Sequence, residues 1–179
     1  MFLLDVFDQT LKKIKAQTAN VLTLANLGLG GFSIIVGING NLHLSLLLIF
    51  VAALADRLDG MAARKFNITS DLGKQLDSMS DIISFGVAPA LLVYQGILFE
   101  FGAPGAFFTI FYIGCGAFRL ARFNISENNG YFTGLPITAA GCLATLSFLA
   151  IPYFPPQIFI FIMIALSFLM VSTFTLKKI

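Results

Sequence analysis

Four aspartates stand in two pairs, Asp56 with Asp59 three positions on and Asp77 with Asp81 four positions on. On a helix either spacing puts both carboxylates of a pair on one face. If the two helices are antiparallel neighbours, the pairs face each other, and four converging carboxylates repel unless protons or cations neutralise them. No His or Cys stands near them in the sequence. An all-oxygen ligand set suits hard divalent ions such as Mg²⁺ or Mn²⁺ rather than zinc. Four carboxylates fit a two-metal cluster, and such clusters handle phosphoryl chemistry.

The elements that must position these groups are membrane helices. Of 179 residues, 58% are hydrophobic and 11% are charged, with a mean hydropathy of +0.90. A soluble domain carries charge on about a quarter of its positions, so an ordinary globular enzyme and a disordered chain are both excluded. A net charge of +2 is too small to suggest nucleic acid as a partner. Cys115 and Cys142 lie inside apolar runs and read as small packing residues. Apolar runs broken by charge or by Gly/Pro clusters give six candidate spans, 18–38, 42–64, 73–98, 104–123, 133–153 and 155–175, with short connectors. Ahead of them Phe2, Leu3, Val6, Phe7, Leu11 and Ile14 recur at helical spacing opposite Asp5, Asp8, Lys12, Lys13 and Lys15. This pattern predicts an amphipathic helix over 1–17 lying on the membrane surface. The expected fold is all-α integral membrane, one domain over 1–179, with a six-helix bundle over 18–175 behind the interfacial helix.

All eleven Lys and Arg residues fall on one side of the six-span arrangement. By the positive-inside rule that side is cytoplasmic and holds both termini. The apolar stretch 42–55 has only fourteen residues, about 21 Å of helix, short of a ~30 Å hydrocarbon core. The second span must therefore include Asp56 and Asp59. The third span begins with Asp77 and Asp81, and the fourth ends with Arg119 and Arg122. Three helices thus bring ionisable groups to one depth just inside the cytoplasmic face, where a functional site is the default expectation. A divalent-cation transporter is the rival from another class. Against it, all four carboxylates gather at one end and the outer half of the chain offers no polar path.

The pattern Asp56, Asp59, Gly60, Ala63, Arg64, Gly73, Asp77 and Asp81 places eight defined residues within 26 positions. It resembles the signature of the CDP-alcohol phosphatidyltransferase family, with no fixed position missing. The resemblance implies a six-helix membrane enzyme, commonly a homodimer, that moves a phosphatidyl group from a CDP-linked lipid to an alcohol and releases CMP. It implies that Asp56, Asp59 and Asp77 are ligands to two divalent ions, and that Asp81 is both a ligand and the general base. Gly60, Ala63, Arg64 and Gly73, with Asn20 and Thr23, are implied to bind the CDP-lipid. Small residues at 60 and 63 let a nucleotide lie against the helix, and an arginine pairs with phosphate.

Further segments, residues 84–89, residues 119–124 and Gly134, Leu135 and Pro136, are similar to the phosphatidylserine synthase branch of that family. Asn20, Thr23 and Asn26 resemble the branch's first-helix pattern. Met61 departs from it, since a basic residue is common there. The branch implies CDP-diacylglycerol and L-serine as substrates, at the plasma membrane with the site facing the cytoplasm. Serine requires a receptor for its carboxylate, and Arg119 and Arg122, with Asn124, are the candidates. Glycerol 3-phosphate also suits two arginines, so phosphatidylglycerophosphate synthase stands as the in-class alternative. Pro89, behind Gly86, predicts a kink or close packing in the third span. The polar stretch 124–134 reads as a solvated connector above the site.

Overall fold

The computed structural model describes the backbone of residues 2–66, 71–125, 131–173 and 175–177, and side chains within 20–58, 60–61, 72–125 and 134–173. Helix α1, Phe2–Ile38, runs unbroken through the expected boundary between interfacial segment and first span. The amphipathic pattern expected of 1–17 falls on side chains outside the described residues. Gly40, at φ 84°, turns the chain, and α2, Leu42–Phe66, returns along α1. Ser33 Oγ donates to the Ser45 carbonyl at 3.0 Å across this pair.

Helix α3, Asp71–Asp81, continues through a π turn, Ile82–Val87, into α4, Ala88–Gly96. A 3-10 turn, Leu98–Phe101, leads to α5, Ala103–Ile125. After strand β1, Tyr131–Thr133, come α6, Ile137–Phe148, a 3-10 turn, Ile151–Tyr153, α7, Gln157–Val171, and strand β2, Thr175–Lys177. Among the described residues, three helical stretches, Asn20–Ile38, Leu72–Gly96 and Ala103–Ile125, are long and apolar enough to cross a membrane.

Helices α6 and α7 are apolar but have only 12 and 15 residues, shorter than the expected spans 133–153 and 155–175. Prolines account for the difference, because a ring nitrogen cannot donate within a helix. Pro136 stands at the entrance to α6, Pro152 sits in the 3-10 turn, and Pro155 and Pro156 precede α7. The strands are an addition to the all-α expectation. They pair antiparallel, Tyr131 opposite Lys177, and tie the stretch before α6 to the chain end. Three-residue strands are too short to leave a period in the sequence.

The core is formed by fully buried Phe85, Tyr112, Ile137, Phe159 and Met163, drawn from four helical segments. Outward faces are apolar as well, with Val21, Phe32, Leu54, Phe107, Phe118 and Phe161 exposed. Helices apolar on every side fit a lipid surround.

Candidate active site

Asp56 on α2 and Asp77 and Asp81 on α3 place carboxylate oxygens within 4.8 Å of one another. The four-residue spacing on α3 stacks Asp77 and Asp81 on one face, and the antiparallel α2 brings Asp56 to the same level. The side chains of Asp59, Ala63 and Arg64 lie outside the described residues. Gly60 and Gly73 are half-buried on α2 and α3. Three carboxylates this close raise one another's charging cost, which a cation relieves. Their all-oxygen donor set fits a hard divalent ion.

Helix α1 closes one side of the cluster. Ser80 Oγ donates to the Thr23 carbonyl at 3.2 Å, and Ser84 Oγ to the Asn26 carbonyl at 3.1 Å. Thr23 and Asn26 of the expected first-helix pattern therefore pack on the segment that carries and follows Asp77 and Asp81. Asn26 is fully buried, and both its amide oxygen and its amide nitrogen lack a hydrogen-bond partner among the described residues. The sequence pattern included Asn26 without assigning it a role.

The three residues expected to hold a serine carboxylate make different contacts. Arg119 is buried, lies within electrostatic reach of Asp81, and stands 6.0 Å from the centre of the Phe123 ring. Its Nε has no hydrogen-bond partner among the described residues. Arg122 turns to the end of α7, with Nη1 donating to the Val171 carbonyl at 2.9 Å and Nη2 to the Ser172 carbonyl at 3.1 Å. A cation on the open carbonyls of a helix C-terminus is a cap. Asn124 Nδ2 donates to Ser78 Oγ at 2.9 Å, while Lys74 Nζ donates to the Asn124 carbonyl at 3.1 Å. These bonds tie α5 to α3 beside Asp77. Residues three apart on a helix diverge by about 60°, which is enough to send Arg119 and Arg122 to different neighbours.

Gly134 has φ 72°, and a Cβ there would meet the Met170 carbonyl at 2.7 Å. The next residue, Leu135, donates its N–H to the Leu169 carbonyl at 3.0 Å. The Gly134, Leu135 and Pro136 segment thus seats the chain on the end of α7.

Fold and site together define a helical membrane enzyme built around a carboxylate cluster. The family model for CDP-alcohol phosphatidyltransferase matches residues 16–175, and the chain belongs to that family. It is 41% identical over 130 residues to the CDP-diacylglycerol–serine O-phosphatidyltransferase of Bacillus subtilis, covering 72% of this chain and 73% of that one. It is 39% identical over 167 residues to the archaetidylserine synthase of Methanothermobacter thermautotrophicus, covering 90% of this chain and 71% of that one. A CDP-diacylglycerol–serine O-phosphatidyltransferase of Methanocaldococcus jannaschii is 45% identical over 111 residues, 62% of this chain and 53% of that one.

Proposed function

We propose that this protein transfers the phosphatidyl group of a CDP-lipid to the hydroxyl of L-serine, releasing CMP. The observation that carries the reading is the approach of Asp56, Asp77 and Asp81 to within 4.8 Å, with buried Arg119 in electrostatic reach of Asp81. The names of the serine-specific relatives support the choice of acceptor.

In this reading Asp81 takes the proton of the serine hydroxyl as its oxygen attacks the lipid-bearing phosphorus. The bond from that phosphorus to the CMP oxygen breaks, and CMP leaves. Arg119 holds the serine carboxylate and so aims the hydroxyl. Asp56, Asp59, Asp77 and Asp81 would hold the divalent ions, Mg²⁺ or Mn²⁺, two per site. Bound there, the metal supplies positive charge against the diphosphate and the departing CMP. Gly60, Ala63, Arg64, Gly73, Asn20 and Thr23 line the CDP-lipid site.

The same reading places six spans in the plasma membrane, with both termini and the site on the cytoplasmic side. The segregation of all eleven basic residues supports this orientation. A homodimer is implied by family membership. The relatives include both diacylglycerol and archaetidyl enzymes, so the donor is tested in both forms. The experiment is CMP release by purified protein from CDP-diacylglycerol and from its ether analogue, each offered serine, glycerol 3-phosphate or inositol phosphate. Release with serine alone is expected. Release with glycerol 3-phosphate and not serine makes the protein a phosphatidylglycerophosphate synthase. Cation flux in liposomes with no CMP release overturns the enzyme reading.

A further inference from the structure

The segment that follows Asp81 departs from α-helical hydrogen bonding. In the π turn Ile82–Val87 the Ala88 N–H reaches back five residues to the Ile83 carbonyl. Pro89, one residue further on, has no N–H, so the Phe85 carbonyl four residues before it loses its α-helical donor. A donor comes from another helix. Tyr112 on α5 is fully buried, and its hydroxyl donates to the Phe85 carbonyl at 3.3 Å.

Two further helices fix the same turn. Ser84 Oγ donates to the Asn26 carbonyl on α1 at 3.1 Å, and a Cβ at Gly30 would strike the Ser84 Cα at 2.8 Å. From the other side Gly141 of α6 lies against the Phe85 backbone, where a Cβ would meet the carbonyl oxygen at 2.7 Å. A π turn holds about one residue more per turn than an α-helix. Reversion of this stretch to α geometry with the same residues would rotate Asp81 against α4 by about 100°. The carboxylate would then turn away from Asp56.

We propose that Tyr112 is a positioning residue for the transfer reaction: by supplying the hydrogen bond that Pro89 withholds from Phe85, it locks the π turn and so fixes the rotation of Asp81 toward the carboxylate cluster. Ser84 does the same from the α1 side. The inference rests on the family chemistry and on Asp81 as ligand and base, not on the identity of the acceptor.

The test uses full-length Tyr112→Phe, which keeps the ring and removes the donor, and Ser84→Ala as a second, smaller change. Thr109→Val is the control, because among the described residues the Thr109 hydroxyl bonds only within its own helix, to the Gly105 carbonyl at 2.8 Å. CMP release is measured with whichever acceptor the wild type uses, and Mn²⁺ affinity is measured separately by electron paramagnetic resonance. Failure with serine therefore removes the serine reading and leaves this test intact. Tyr112→Phe is expected to lower kcat and to weaken Mn²⁺ binding by about tenfold or more each. The KM for CDP-lipid is expected to stay within about twofold, as for loss of an interaction acting in the transition state. Ser84→Ala moves both readouts in the same direction, and Thr109→Val moves neither. If Tyr112→Phe and Ser84→Ala lower only the melting temperature, with kcat per folded enzyme and Mn²⁺ affinity unchanged, the hydroxyls are structural and the proposal is overturned.

Discussion

Arg122 reaches from α5 to the end of α7 and donates to the Val171 carbonyl at 2.9 Å, whereas Arg119, one turn earlier on the same helix, is buried 6.0 Å from the centre of the Phe123 ring. The two arginines are therefore separable by experiment. Arg122→Gln is expected to cost about 1.5–3 kcal/mol of stability, read as a lower melting temperature in detergent, with the KM for serine little changed. Arg119→Gln is expected to raise that KM about tenfold or more while leaving the melting temperature near the wild-type value. An interchange of the two outcomes would assign the carboxylate to Arg122.

Asp81→Asn keeps the shape of the side chain but removes the base and one ligand charge. A fall in CMP release of about 10²-fold or more is expected. Asp56→Asn and Asp77→Asn should weaken Mn²⁺ binding in the same assay. Removal of divalent ions with a chelator should abolish turnover in the wild type, and added Mg²⁺ or Mn²⁺ should restore it. Full metal-dependent turnover in Asp81→Asn would rule out its role as base.

Asn26 buries an amide that has no hydrogen-bond partner among the described residues. Leu has a similar volume and no polar atom to strand, so Asn26→Leu is expected to raise stability by about 1 kcal/mol or more. An amide retained at such a cost points to use in the reaction, and turnover is expected to fall as the melting temperature rises. Unchanged turnover would make Asn26 a packing residue.

At Gly134 a side chain meets both a left-handed backbone and the Met170 carbonyl. Gly134→Ala is expected to lose about 1–3 kcal/mol from the backbone alone. The melting temperature should fall, and limited proteolysis near the chain end should speed up as the segment lifts from α7.

Much of the candidate site was legible in the sequence because helical periodicity turns spacing into a shared face. Asp77 and Asp81 could be put on one face, as could Asp56 and Asp59, from their positions alone, and the short connector expected between the second and third spans made those helices antiparallel. The first, third and fourth expected spans could likewise be found from apolar length. The short extents of α6 and α7 were less legible, because prolines stop a helix inside a run that remains apolar. The strand pair left no signal at all, since its partners are more than forty positions apart and neither is long enough to alternate.

Composition and spacing alone determined that the chain is a membrane-type helical protein, that its charges cluster, and that carboxylates meet across two neighbouring helices. Those properties follow from local geometry and from the cost of charge in lipid. Only the tertiary structure decided that Arg122 caps α7 while Arg119 is buried, that Asn124 binds Ser78 rather than standing free, and that Tyr112 supplies a donor where Pro89 has none. Each of these depends on the rotation of one helix against another, and that rotation is set by side-chain packing summed over the whole bundle.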